Sequence, residues 1–470
     1  MRILTRRRLD LDSLSPLQVR MRFALLLFLL PMLALAEPVV TNHEPDSEVR
    51  YPVVLLRGTI DEKATEITAK TERGKIEGRV RDGKFKVLAE LAPGENKIEL
   101  TSDSGKKTEW VLNFKKQTNP YYVRVIWMTD KSGATDYATS YENDPQNYEE
   151  KLDVAAKMLQ TFTAERLFDT GYGRKTFRLE LDDSGKTKIH TLAAPKGASH
   201  YYKIGDQQWY REINQWINKK YPDPFAKNIV IAAYTRKDPE TGKMKAHTAL
   251  GGGNQGLFGG ASVFSWPDNL QDITTTFLSD EIVDPKQVHD DSAGRHTIWG
   301  LAATTLGATL HEMGHAFGLP HCTDGFGIMT RGFDRINRAF TFVDPPSRQN
   351  LTERVFRDDQ VGYFAPVSGS YLQWSPWFQL DKPAIEDKAR PQIQFDGTTG
   401  EIIVESKFPI RWLGLWKKDN VAKFKEFTGE QKKVTVSSEE WKALMGGDEL
   451  SNISAVSENG YGGRIKINRE

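Results

Sequence analysis

The segment His311-Glu312-Met313-Gly314-His315-Ala316-Phe317-Gly318-Leu319-Pro320-His321, followed by Gly327-Ile328-Met329-Thr330, decides how this chain is to be read. A helix turns about 100° per residue, so His311 and His315 stand one above the other on the same face. At that spacing two imidazoles can reach one ion, with nitrogen–metal distances of about 2.0–2.1 Å. Glu312 lies one residue round from His311, close enough to hold a metal-bound water without being a ligand itself. Gly318 suits the position just past a helix end, where positive φ turns the chain, and Pro320 cannot readily resume the helix. The turn brings His321 back beneath the first two histidines as a third ligand. Three nitrogens leave one tetrahedral position for water, which a catalytic zinc site needs and a structural one lacks. Three of nine histidines fall within this short segment, which is hard to reconcile with ordinary core.

The upstream sequence supports a helix. Trp299, Ala303, Leu306, Leu310, Gly314 and Phe317 follow the i, i+3, i+4 pattern of a buried stripe. Thr304, Ala308, His311 and His315 occupy a neighbouring face, and Asp291 or Ser292 can cap the start.

With these residues in view, the segment resembles the metzincin clan of metallopeptidases, which carry His-Glu-x-x-His-x-x-Gly-x-x-His and a downstream methionine turn. The matching positions are His311, Glu312, His315, Gly318 and His321, with Met329 as the turn methionine at a matrixin-like interval. The continuation Gly327–Asp334, with Asn337-Arg338, is most similar to a family of metzincin peptidases found in fungi and bacteria. The motif covers about 25 residues, and the strand–helix order extends the likeness over roughly 118–365. The resemblance implies a peptidase with one catalytic Zn2+ on the three histidines, a zinc-activated water and Glu312 as general base. Met329 is then an apolar floor beneath the histidines. Substrate is expected to lie extended along an edge strand, for which Ala261, Ser262, Val263 and Phe264 of the candidate strand Ala261–Trp266 are the lining residues. Two positions depart from the pattern. Cys322 stands where matrixins usually place serine, and no tyrosine follows the methionine turn, which leaves the electrophilic partner of the metal unassigned.

At 470 residues the chain should divide into roughly three domains. The expected fold class is mixed α+β. Its centre is a metzincin-like domain (118–365) with a twisted mixed sheet and the active-site helix, flanked by β-sandwiches. Residues 37–117 carry short strands at regular spacing, among them Val53–Thr59 and Lys84–Leu91, and loosely resemble an immunoglobulin-like sandwich. Residues 366–470 return to strand-and-turn character, with Glu401–Glu405, Arg411–Trp416, Val434–Val436 and Arg464–Ile467 as candidate strands. Trp374, Trp377, Trp412 and Trp416 are expected in core rather than on a ligand platform. A glycine-rich stretch, Leu250–Gly260, leads into Ala261–Trp266, and the loop Pro267–Asp291 is long enough to carry function.

Residues 1–36 have the form of a cleaved export signal. Arg22 precedes an apolar run from Phe23 to Leu35, and Ala34-Leu35-Ala36 suits a signal peptidase; Met21 is a candidate true start. Cleavage predicts a secreted, periplasmic or extracellular protein with no membrane span left. It removes six Arg and two Asp, leaving 58 Lys+Arg against 61 Asp+Glu and a formal charge of −3. No basic surplus remains for nucleic acid or anionic membrane. Cys322 is the only cysteine, so no internal disulfide forms. The expected partner is a peptide or protein substrate, with an extracellular ligand of the flanking domains as a further candidate. Calcium has only the acidic pair Asp290-Asp291 in its favour, a pattern more common in solvated loops and helix caps. Two other functions fit the residues: a non-catalytic exported binding or adhesion protein with a structural zinc site, and a zinc amidase or deacetylase. A merely structural site has no use for Glu312.

Overall fold

In the strand Val53–Thr59 the side chains alternate between two apolar environments. Val54 and Leu56 join the core of the N-terminal domain, whereas Val53 and Leu55 point the other way into the central domain's core. That double burial sets the architecture of the computed structural model, which describes residues 37–467. The export signal read at 1–36, with its candidate start at Met21, lies outside the described residues.

The N-terminal domain has eight strands: β1 (Val39–Val40), β2 (Glu48–Val49), β3 (Val53–Thr59), β4 (Glu66–Thr71), β5 (Gly74–Arg81), β6 (Lys84–Glu90), β7 (Gly94–Ser102) and β8 (Lys107–Phe114). They form one hydrogen-bonded sheet in the order β1-β3-β6-β5-β4-β7-β8-β2, curled about a single core, rather than two separate sheets.

The central sheet contains β9 (Tyr122–Thr129), β10 (Ile189–Ala193), β11 (Ala226–Ala232), β14 (Ala249–Gly252) and β15 (Gln255–Gly259); a two-residue hairpin, β12 (Arg236–Lys237) and β13 (Met244–Lys245), precedes β14. Its order is β10-β9-β11-β15-β14. All neighbours run parallel except β14, which is antiparallel to β15 and closes one edge. Three long helices pack around this sheet: α1 (Tyr148–Asp169), α2 (Asp206–Lys220) and α3 (Ile298–Ala316). The fold is mixed α+β.

Helix α1 lies between the N-terminal sheet and the central core and is buried on nearly all sides. Its Glu165, fully buried, accepts from Tyr51 (2.8 Å), Asn42 (2.9 Å), Arg174 (3.0 Å) and Arg57 (3.3 Å), with the His43 imidazole 3.2 Å away. A buried carboxylate is tolerated only when so compensated, and this one bolts the N-terminal domain to α1.

After α3 come β16 (His321–Cys322), then the small pair β17 (Val343–Asp344) and β18 (Arg354–Val355). The C-terminal domain adds β19 (Gln392–Phe395), β20 (Ile402–Glu405), β21 (Ile410–Lys417), β22 (Asn420–Glu426), β23 (Lys433–Val436), β24 (Asn452–Ser457) and β25 (Gly462–Lys466). These make a three-stranded sheet, β19-β20-β23, and a five-stranded one, β16-β22-β21-β24-β25, which share one core. Trp412 and Trp416 are buried, while Trp374 and Trp377 are half-buried, so they form no exposed platform.

Two sequence expectations change here. Helix α3 is apolar and buried on every side, not along one stripe, because sheet, α1 and the segment after His321 surround it. Its cap is Thr297, whose hydroxyl accepts from the Gly300 N–H at 3.3 Å, instead of Asp291 or Ser292.

Candidate active site

Helix α3 presents His311 and His315 one turn apart, and the chain then turns at Gly318, whose φ of +95° favours glycine. A Cβ there would also strike the Tyr371 hydroxyl. The turn delivers His321 on β16, so the three imidazoles meet. The Nε2 atoms of His315 and His321 are 3.1 Å apart, and the nitrogens of all three rings lie within 4.8 Å of one another. Donors on a tetrahedral zinc with bonds of about 2.0–2.1 Å stand roughly 3.3 Å apart, so the set fits that ion.

The tautomers fit as well. His311 Nδ1–H donates to the Ile328 carbonyl at 2.7 Å, and His315 Nδ1–H donates to the Leu319 carbonyl at 2.8 Å. A carbonyl can only accept, so each Nε2 keeps its lone pair facing the common centre. Burial depresses both imidazoles, His311 to about 3, so they are neutral ligands at pH 7.

Glu312 is buried, 7% exposed, and its side chain makes no hydrogen bond among the described residues. Burial pushes its carboxyl up to about 8. The strands β14 and β15 press against the helix here. A Cβ on Gly251 would lie 2.0 Å from the Glu312 carbonyl oxygen, and one on the facing Gly256 would lie 3.0 Å from its carbonyl carbon. Only glycines allow that approach. The glycine-rich stretch is therefore itself the edge of the sheet, with β14 free of a strand partner on its outer side among the described residues.

This corrects the expected substrate-lining strand. Ala261, Ser262, Val263 and Phe264 lie in a 3₁₀ turn, Gly260–Ser265, and all four are buried. Lys151 holds the turn by donating to the carbonyls of Trp266 (2.7 Å) and Phe264 (3.3 Å), and the Trp266 indole donates to Thr305 on α3 at 2.9 Å. A largely apolar six-residue stretch with two serines suits either state, and here tertiary packing decided it.

Met329 is fully buried beneath the histidines, its sulfur packed so close to Gly314 that no Cβ would fit between them. Cys322 is buried too, with its thiol 3.1 Å from the Thr330 hydroxyl. A cleft of about 570 Å³ runs past Gly251, His315 and His321, and its opposite wall comes from the C-terminal domain through Trp412, Trp416 and Arg464. The pairing of β16 with β22 (His321↔Asn420) joins that wall directly to the third ligand. Sequence reasoning did not assign this wall; no local pattern signals a parallel pairing across a hundred residues.

A protein of Schizosaccharomyces pombe described as a "putative zinc metalloproteinase" is 33% identical over 283 residues, covering 56% of this chain and 46% of that protein. A Saccharomyces cerevisiae protein of the same description is 26% identical over 294 residues, covering 54% of this chain and 42% of that protein. The matched region thus spans less than half the length of these relatives. Among solved structures, OgpA of Akkermansia muciniphila is similar at 18% identity, with 75% of this chain and 94% of that chain covered and a TM-score of 0.44. Archaemetzincin of Methanopyrus kandleri is similar at 11% identity, with 54% and 94% covered and a TM-score of 0.24. The model of one family matches residues 37–402, taking in the whole N-terminal domain as well as the site, where the sequence likeness had been confined to 118–365. By that match, the chain belongs to the metallopeptidase family Metallopep, the "putative peptidase family".

Proposed function

We propose that this chain is an exported zinc-dependent peptidase, in which Glu312 is the general base and the substrate pairs with the free edge of β14. The observation that carries the reading is the convergence of three imidazoles beside a buried carboxyl with no hydrogen-bond partner among the described residues, all under an open strand edge. His311, His315 and His321 would hold the zinc ion. When bound, the ion supplies Lewis acidity for the scissile carbonyl and lowers the pKa of water to about 7. An extended peptide on β14 bonds through its own backbone, which fixes the scissile bond over the histidines. Among the described residues the Glu312 Oε atoms have no hydrogen-bond partner, so they are free to take the proton of the attacking water and return it to the leaving amine. A carboxyl whose pKa is raised toward neutrality by burial suits that exchange, and a neighbouring cation favours its charged form. Export is supported by the composition of residues 1–36.

The test is Glu312→Gln in the mature chain, assayed on a mixed peptide library with and without chelator. Zinc content should stay at that of the wild type while hydrolysis falls about 10²–10⁴-fold. Undiminished hydrolysis removes the base assignment. Wild-type protein that binds zinc but cleaves no peptide points instead to a non-catalytic protein, and turnover of acetylated amides alone points to a deacetylase.

A further inference from the structure

A second group of metal-ligating side chains lies away from the three histidines, where the hairpin before β14 meets the long loop that follows Trp266. His247 is two residues before the first residue of β14, and His289 and Asp291 come from that loop. Their donor atoms lie within 4.8 Å of one another. The two rings are edge-to-face, with centroids 4.8 Å apart. None of the three side chains makes a hydrogen bond among the described residues. His247 Nδ1 is buried and bonded to nothing, and neither His289 nor Asp291 makes a side-chain hydrogen bond or ion pair among the described residues.

The nearby charges are already engaged. Asp290 pairs with the His296 imidazole and accepts from the Ser292 N–H at 3.0 Å. Arg331 is held by Asp334 at 2.9 Å, although its charge still favours ionised Asp291. Lys237 lies near His289 and adds positive charge, which disfavours the imidazolium. A carboxylate buried without a donor is costly unless it takes a proton or binds a cation. In the metal-free chain burial pushes Asp291 up to about 6 and His247 down to about 4, so the imidazole is neutral at pH 7, as a metal ligand must be.

We infer that His247, His289 and Asp291 hold a second zinc ion, which fastens the loop 267–297 to the start of the substrate-edge strand. Two imidazole nitrogens and one carboxylate oxygen suit zinc, whereas calcium takes six to eight oxygens. Small ring rotations bring donors within 4.8 Å to the roughly 3.3 Å of a tetrahedral shell. Among the described residues no glutamate is one of the charges that act on these three side chains, so the ion's role is structural. The ion gives the loop an anchor at its far end and holds β14 in place from the N-terminal side. This inference does not depend on the peptidase reading.

The experiment counts zinc per chain by mass spectrometry after dialysis against metal-free buffer, with circular dichroism on each variant. The wild type should hold two equivalents, His289→Ala one, and His315→Ala one. In a Glu312→Gln background, which removes self-cleavage, chelation should make the loop 267–297 more susceptible to an added protease. His315→Ala with no zinc, or His289→Ala with as much zinc as the wild type, overturns the assignment. Should His289→Ala fail to fold, His315→Ala still decides, because it leaves the second cluster intact.

Discussion

Gly251→Ala is the sharpest perturbation of the edge strand. Its backbone is not in the positive-φ region, so an alanine adds a methyl group without backbone strain and isolates the packing effect. That methyl would sit 2.0 Å from the Glu312 carbonyl oxygen and 2.7 Å from its carbon, whereas real Cβ contacts essentially never fall below 3.0 Å. Both neighbours are backbone and cannot swing away, so strand and helix must separate by about 1 Å. Such overpacking costs roughly 1–3 kcal/mol of stability. A misplacement of about 1 Å between a bound substrate and its base lowers kcat/KM by about 10²-fold, or roughly 2.7 kcal/mol of barrier. Zinc at the first site should be retained, because its ligands come from α3 and β16 and not from β14. The assay is kcat/KM on a peptide found by library cleavage, together with zinc content and Tm. Wild-type kcat/KM at unchanged Tm would refute both the close strand–helix contact and the use of this edge by substrate.

Glu165→Gln keeps the shape but removes the charge that Arg57, Arg174 and His43 face, and should cost about 3–5 kcal/mol at pH 7 in denaturant unfolding. Burial works to raise the Glu165 pKa, but His43, Arg174 and Arg57 outweigh it and hold the carboxyl below the ordinary 4.5. Its contribution is therefore fully present above that value and is lost as pH falls below it, so wild type and variant should converge in acid; a difference that persists unchanged at pH 2 would contradict this. Met329→Ala empties a fully buried site under the histidines and should destabilise by about 2–5 kcal/mol with first-site zinc retained; a loss under 1 kcal/mol would remove its role as floor. Protons compete with zinc for imidazole lone pairs, and burial lowers the pKa of His311 and His315 from 6.5, so occupancy of the first site should hold through pH 6.5 and fall at lower pH. Full occupancy at pH 3, read by mass spectrometry, would exclude three-histidine ligation.

The histidine cluster was legible because its information is local. A spacing of four on a helix and a glycine-led bend place His311, His315 and His321 with no knowledge of the rest of the chain. Strands such as Val53–Thr59 were equally clear, since periodicity and turn residues mark them within a few positions. The sheet edge beside Glu312 was not. Ala261–Trp266 looks like a strand by composition, while Gly251 and Gly252 have almost no strand propensity. They form the edge because only glycine lets a strand lie on the backbone of Glu312, a requirement set by a helix sixty residues away. The same holds for the outer face of β3, which buries against α1, for the pairing of β16 with β22, and for the meeting of His247 with His289 and Asp291. The sequence by itself determined the convergence of His311, His315 and His321 and many local elements. Only the tertiary structure decided which strand faces the cleft, what walls it and which distant side chains meet, because those outcomes depend on non-local contacts that no window of sequence contains.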